Sequence, residues 1–221
     1  MQANVCPVPA RLKTTALRLY NEARKRRRRN VSKESIALKE WAAAIQALET
    51  GEQILIMRKG GIIEETRDFE LQSHSFFLYP TYEHQKKELF KEPWQALVDR
   101  SMANWSPDGQ EVDVTCFAEA VCDWEVTSQE ELDKLRDFHV WNDTFASERL
   151  RWKRTKPLHV ILLRIYKLEE PQRIRIEPDY AGCKSWIGLQ GIDESAPRTP
   201  VLSDDRFAER CEQVRRVLSS E

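Results

Sequence analysis

Polar residues directly follow two apolar segments of this sequence, and they are its best candidates for chemistry. The first segment ends at Met57 and the second at Tyr79. Residues that follow buried strands lie at strand ends, where binding and catalytic sites are commonly built. The candidate site residues from these two places are Arg58, Lys59, Gly60, Gly61, Thr81, His84 and Gln85.

Two chemistries suit these residues, and each has a plainer alternative. Backbone N–H groups around Gly60 and Gly61 could form a nest for phosphate or carboxylate, with a bidentate fork from Arg58. The same residues also suit a solvated β-turn. The imidazole of His84 could act as a general base, hydrogen-bond a nucleobase edge, or cap a helix that begins there.

Basic and aromatic residues in the second half of the chain extend the candidate site. The sequence has seven tryptophans, and those beside basic residues or loops could stack on a nucleobase. Cys183 lies next to Lys184, whose ammonium favours a thiolate, although most cysteines are small core residues. The further candidates for a binding cleft and its rim are Arg149, Trp152, Arg154, Lys184, Ser185 and Trp186.

The sequence contains no complete catalytic or metal-binding motif, so no metal and no cofactor is predicted. Four acids between the two apolar segments could hold Mg²⁺ in a phosphodiesterase: Glu64, Glu65, Asp68 and Glu70. A nuclease pattern of Glu-x-Lys would need a lysine at position 72, where this chain has Gln72. A metal-dependent hydrolase is therefore kept as an alternative to a binding function.

The charge distribution favours an anionic partner. The net charge is only −1, yet residues 1–30 hold nine Lys or Arg and a single acid, Glu22. We interpret residues 1–34 as a basic extension, disordered or helical, that could meet RNA or DNA. An organellar targeting segment and a misassigned start are alternatives.

The cysteines and the hydropathy indicate the compartment. Five cysteines at irregular spacing, without a secretory apolar segment, do not suit a disulfide framework. No apolar run is long enough to cross a bilayer. The sequence therefore predicts a cytoplasmic location and no membrane partner.

Apolar periodicity predicts one α+β domain at residues 35–221, with a mixed or barrel-like, mostly antiparallel sheet flanked by several helices. The predicted helices are Ser35–Thr50, one opening at Pro93, one capped by Ser128, one at Phe145–Trp152 and one capped by Ser203. The predicted strands are Gln53–Arg58, Ser75–Tyr79, Val112–Val126, Leu158–Leu168 and Gln172–Ile176.

Several blocks of the sequence resemble the bacterial family catalogued as domain of unknown function 1802, over about residues 36–190. These blocks are Ala37-Leu-Lys-Glu-Trp41, Ile56-Met-Arg-Lys-Gly-Gly-Ile62, Leu78-Tyr-Pro-Thr-Tyr-Glu-His-Gln85, Phe138-His-Val-Trp141, Arg149-Leu-Arg-Trp152, Pro157-Leu158 and Gly182-Cys-Lys-Ser-Trp186. That resemblance implies no activity.

A second resemblance concerns the order of elements from the Ser128 helix to Glu170-Pro171. This order is similar to the second half of PUA-like domains of the EVE and ASCH types, which are small β-barrels that bind RNA or modified bases. It implies a PUA-like fold.

The leading hypothesis is a non-enzymatic module that binds nucleic acid or a nucleotide in a basic and aromatic cleft. The alternatives are the hydrolase described above and a regulatory domain that uses the same concavity for a protein partner.

Overall fold

The computed structural model describes residues 35–59, 71–103, 105–152 and 156–219. The strands are β1 (Ser35–Trp41), β2 (Leu55–Arg58), β3 (Ser75–Thr81), β4 (Glu111–Val126), β5 (Leu158–Arg175), β6 (Trp186–Leu189) and β7 (Arg198–Pro200). The α-helices are α1 (Ala42–Glu49), α2 (Gln95–Met102), α3 (Gln129–Lys134), α4 (Asp143–Arg151) and α5 (Asp204–Ser219). Short 3₁₀ helices lie at Lys87–Leu89, Glu92–Trp94, Arg136–Phe138 and Pro178–Tyr180.

The seven strands form one sheet in the order β2-β5-β4-β3-β1-β6, with β7 also paired to β5. β1 and β3 run parallel, whereas the other pairs are antiparallel. The predicted α+β fold with a mixed, mostly antiparallel sheet is therefore confirmed. Within the described part of the chain the sheet is open, with β2 and β6 at its two ends.

Two long strands, β4 and β5, pair with each other inside the sheet, between β2 and β3. Apolar residues at alternate positions of β4 are buried or half-buried, as the sequence pattern predicts. Register shifts between Val114 and Cys116 and between Ala120 and Cys122 interrupt the ladder with β5. Across the first shift β4 advances two residues, from Val114 to Cys116, while the paired positions on β5 move by five, from Gln172 to Lys167. Val114 and Cys116 accordingly belong to different core clusters.

The prediction of a helix over Ser35–Thr50 is wrong in its first half, where the chain forms β1. Leu38, Trp41, Ile45 and Leu48 have helical spacing, but Ala37 and Leu38 are fully buried between β3 and β6. Pairing with strands that are distant in sequence outweighs local periodicity here. The helix is α1, and the chain leaves it through Gly51 at a φ of 72°.

The connection between β4 and β5 contains two helices whose starts are specified locally. Ser128 and Glu131 form the predicted capping box of α3. The side chain of Asn142 accepts a hydrogen bond from the Phe145 N–H and caps α4. The side chains of α1, α3, α4 and α5 share a core cluster that includes Ala43, Leu132, Phe145 and Val214, so the connection packs onto the sheet.

No helix among the described residues is both long enough and apolar enough to span a bilayer. The division into an extension at residues 1–34 and a domain at 35–221 stays a prediction, because residues 1–34 lie outside the described part of the chain.

Candidate functional site

A cavity of about 500 Å³ lies where the ends of β1, β2 and β3 meet α4 and the segment before β6. Its lining residues are Lys39, Glu40, Trp41, Arg58, Lys59, Thr81, Glu83, His84, Leu89, Phe145, Glu148, Arg149, Trp152, Gly182, Cys183, Lys184 and Ser185. Five cationic side chains and three carboxylates belong to this set. We call it the first cavity.

A buried ion pair lies in the wall of the first cavity. The Arg58 Nη2 atom lies 3.2 Å from the Glu40 Oε2 atom, and these side chains are only 11% and 8% exposed. Glu40 also accepts a hydrogen bond from the Trp41 N–H at 2.7 Å, while the Arg58 guanidinium donates to the Lys39 carbonyl. The Arg58 Nε atom is buried without a hydrogen-bond partner within the described residues. The pair therefore orients Arg58 and leaves one of its donors unused.

Arg149 adds a second guanidinium from α4. Its Cζ atom lies 5.1 Å from the centroid of the Phe145 ring, in a cation–π contact. Burial lowers the pKa of Arg149, the nearby Arg58 lowers it further, and Glu40 raises it. The two guanidinium groups therefore repel each other across the cavity, and an anion bound near them would relieve that repulsion.

Aromatic rings form another part of the lining. The Trp41 and Phe145 ring centroids lie 5.1 Å apart, tilted by 48°, and Phe145 in turn stacks on Trp141 at 5.4 Å. Trp152, at the C-terminal end of α4, is 50% exposed. Such a large exposed indole beside a cavity provides a surface on which a flat ligand can stack.

Lys39 fixes the segment that precedes β6 against the end of β1. Its Nζ atom donates to the carbonyl oxygens of Tyr180 at 2.7 Å and Gly182 at 2.8 Å. The Lys39 N–H also donates to the Ser185 carbonyl at 2.9 Å. Burial lowers the pKa of the Lys39 ammonium, while Glu83 opposes that shift. These contacts hold Gly182 to Ser185 at the edge of the cavity.

The remaining polar residues at the ends of β2 and β3 have clear local roles. Lys59 is buried, which lowers its pKa, and its ammonium donates to the Leu150 carbonyl. The Thr81 hydroxyl donates to the Glu40 carbonyl at 3.0 Å, which ties β3 to β1. His84 is exposed and has a φ of 66°, in the left-handed region that few non-glycine residues adopt.

Eight of the residues predicted from the sequence share the first cavity: Arg58, Lys59, Thr81, His84, Arg149, Trp152, Lys184 and Ser185. Arg58, His84 and Lys184 thus lie around one cavity although they are far apart in sequence. Whether any of these residues binds a ligand stays a prediction.

Two predicted site residues lie elsewhere and have structural contacts. Gln85 accepts from the Ala43 N–H and donates to the Ser101 hydroxyl, so it ties α1 to α2. Trp186 is 7% exposed and packs edge-on against Phe76 at 5.0 Å. Neither residue lines the first cavity.

Some predicted residues lie outside the described part of the chain. These are Gly60, Gly61 and Arg154, together with the acids Glu64, Glu65, Asp68 and Glu70. The glycine nest and the hydrolase alternative therefore stay predictions.

Sequence reasoning missed Lys39, Glu40 and Trp41 as parts of the site, because it placed them in a helix. The signal present in the sequence was the block Ala37-Leu-Lys-Glu-Trp41, where a lysine and an acid directly follow two apolar residues. Among the described residues, no group of three or more His, Cys, Asp or Glu side chains is arranged to hold a metal ion.

The chain belongs to the family described as "Domain of unknown function (DUF1802)", whose model matches residues 37–213. The resemblance predicted for about residues 36–190 is thus confirmed, and it extends through most of α5. No curated protein sequence is significantly similar to this chain.

Solved structures of ASCH from Zymomonas mobilis resemble this chain at low identity. The protein itself has 10% sequence identity and a TM-score of 0.42, and the match covers 81% of this chain and 94% of that one. A tyrosine-to-phenylalanine variant of it has 11% identity and a TM-score of 0.40, covering 72% and 92% of the two chains.

Proposed function

We propose that this protein is a non-enzymatic module that binds RNA, DNA or a nucleotide and accepts one nucleotide in the first cavity. One observation carries the proposal: guanidinium groups, ammonium groups and aromatic rings line the same cavity of about 500 Å³. Cavities that bind small ligands commonly have volumes of about 300–1,000 Å³. A cytoplasmic location is part of the same proposal.

The cationic residues support an anionic ligand. Of the three carboxylates among the described lining residues, Glu40 is paired with Arg58, which leaves Glu83 and Glu148 to balance four other cations: Arg149, Lys59, Lys39 and Lys184. Guanidinium groups bind phosphate through two parallel hydrogen bonds, and they bind more strongly in a partly desolvated site. A phosphate in this cavity would meet an excess of positive charge.

The aromatic residues support a flat ligand. Trp152 is half exposed at the cavity, and Trp41 lines the same space. Stacking on an aromatic side chain contributes about 1–3 kcal/mol for each nucleobase and does not depend on which base it is. A module of this kind would select unpaired nucleotides over a closed duplex, because a paired base does not expose its face.

The experiment is binding of fluorescein-labelled eight-nucleotide RNA and DNA, measured by fluorescence anisotropy over a salt series. Trp152→Ala should weaken binding about five- to hundredfold at every salt concentration, through lost stacking. Lys184→Gln should weaken binding most at low salt and flatten the salt dependence, because one phosphate contact is lost.

Matched controls come from exposed residues that do not line the first cavity. Val121 is 44% exposed on β4, and Arg216 is exposed on α5. Val121→Ala and Arg216→Gln should therefore leave binding unchanged. If all four variants bind like the wild type, or the wild type binds no oligonucleotide, the proposed function is wrong.

A further inference from the structure

A second cavity, of about 820 Å³, adjoins the first. The two have four lining residues in common: Lys39, Thr81, Glu83 and Gly182. The second cavity continues past the end of β3 toward the segment before β4 and the C-terminal end of β5. A ligand longer than one nucleotide could thus pass from one cavity to the other across Lys39 and Thr81.

The lining of the second cavity differs from that of the first in its aromatic content. Its aromatic residues are Tyr79, Tyr82, Trp105 and Tyr180. The Tyr82 and Trp105 rings stack with centroids 5.6 Å apart and planes 23° from parallel. A planar group that enters this cavity therefore meets a preformed aromatic pair, which needs no ordering when the ligand binds.

The charges of the second cavity are balanced. Lys39, Arg173 and Arg175 face Glu83, Glu111 and Asp113, and Arg173 binds Asp113 through two hydrogen bonds of 2.8 and 3.1 Å. A cavity with balanced charges and aromatic walls suits an uncharged base better than a free phosphate. The first cavity, with its excess of cations, suits the phosphate.

Lys39 lies between these two environments. Its ammonium uses two N–H groups on the Tyr180 and Gly182 carbonyls. An ammonium has three N–H donors, so one remains for a phosphate oxygen. A phosphodiester that joins one nucleotide in each cavity would cross the protein at this residue.

We propose that the two cavities form one track for single-stranded nucleic acid, in which consecutive nucleotides occupy the first and the second cavity. This inference rests on the proposed function and narrows it, since the ligand is then a polynucleotide rather than a free nucleotide. A mononucleotide can fill only one cavity. Affinity should therefore rise when the ligand becomes long enough to reach Tyr82 and Trp105.

The experiment uses the full chain and unlabelled competitors of increasing length. Uridylate and adenylate ligands of one to four nucleotides, as RNA and as DNA, displace the labelled eight-nucleotide probe at a fixed salt concentration of about 200 mM. Salt at this concentration weakens contacts between the basic extension and phosphate groups. The extension is also identical in every variant, so it does not affect the comparison between variants.

We expect the step from one nucleotide to two or three to tighten wild-type binding about five- to hundredfold, which corresponds to stacking of one more base. Trp105→Ala should remove this gain and weaken binding of the mononucleotide less than Trp152→Ala does. Arg175→Gln, at an exposed residue of the same cavity, should reduce the gain without any risk to the core. Arg216→Gln should retain the full gain.

Two results would contradict the proposal that the two cavities form one track. One is a wild type that binds one, two and three nucleotides equally well, and the other is a gain with length that survives both Trp105→Ala and Arg175→Gln. Failure of the proposed function gives a different result: no competitor of any length displaces the probe, or Trp152→Ala has no effect on the mononucleotide. Thermal melts of each variant separate lost binding from lost folding.

Discussion

At the scale of single residues, the most unusual feature of the first cavity is the buried pair of Glu40 and Arg58. A buried ion pair is poor evidence for stability, because desolvation of two charges offsets most of their attraction. Here the pair joins β1 to β2 and holds a guanidinium at the cavity with its Nε atom unused. We interpret this arrangement as the fixed orientation of a binding group.

The pair gives a prediction about stability. Arg58→Met should lower the free energy of unfolding by about 3–5 kcal/mol, because it leaves the Glu40 carboxylate buried and unpaired. The double variant Glu40→Gln with Arg58→Met should recover much of that loss, since the glutamine keeps the acceptor for the Trp41 N–H. Urea denaturation measures the free energy of unfolding of the single and the double variant.

The exposed pair of Arg173 and Asp113 provides the matched control for the variants of Glu40 and Arg58. Its side chains are 66% and 44% exposed, so Arg173→Met should change the free energy of unfolding by less than about 1 kcal/mol. A double variant at Glu40 and Arg58 that is as unstable as the single one would contradict the interpretation.

At the scale of elements, the sequence predicts correctly those features that depend on residues close together in the chain. The capping box of Ser128 and Glu131, the alternation along β4 and the apolar run of β5 all depend on neighbours in sequence, and all were predictable. β1 was not, because its identity depends on β3 and β6, which are remote in sequence. The candidate site was therefore predictable at the ends of β2 and β3 but not at the end of β1.

The connection between β4 and β5 contains a pH-sensitive residue, His139. It is 5% exposed, and burial, assisted by the Lys91 ammonium, lowers its pKa from 6.5 to about 3. Above pH 6.5, His139 is thus mainly neutral in both the folded and the unfolded chain. Between pH 6.5 and about 3 the unfolded chain gains a proton that the folded chain does not, so folding loses about 1.4 kcal/mol per pH unit from this group.

The variant His139→Phe should lack this contribution to acid sensitivity. Its free energy of unfolding, compared with that of the wild type from pH 8 to pH 4, should show a difference that is constant above pH 6.5 and changes in favour of the variant below it. Urea denaturation at each pH measures the difference. Parallel curves over the whole range would contradict the account of His139.

At the scale of the whole molecule, positive charge is found in two different places. Residues 1–30 are strongly basic, whereas the remainder of the chain is acidic overall, although five of its Lys and Arg side chains meet at the first cavity. Sequence composition could predict the first of these but not the second, because Lys39, Arg58, Arg149 and Lys184 come together only in the fold. The two should contribute differently to binding.

Deletion of residues 1–30 tests this difference. A run such as Arg26 to Arg29 can neutralise phosphates but cannot read a base. The truncated chain should bind more weakly at low salt and show a shallower salt dependence, by about 0.7 in slope for each lost contact with single-stranded nucleic acid. Any preference for unpaired over paired nucleotides should remain, and an unchanged slope would show that the extension serves another purpose.

Photo-cross-linking locates bound RNA on the protein and so determines whether the first cavity holds a nucleotide. The full-length protein would be irradiated with an eight-nucleotide RNA containing 4-thiouridine, and the modified residues would be identified by mass spectrometry. We expect adducts on peptides that contain Trp41, Trp152 or Cys183, and we expect them to disappear when unlabelled RNA competes. Adducts confined to residues 1–34 or to α5 would contradict the binding of a nucleotide in the first cavity.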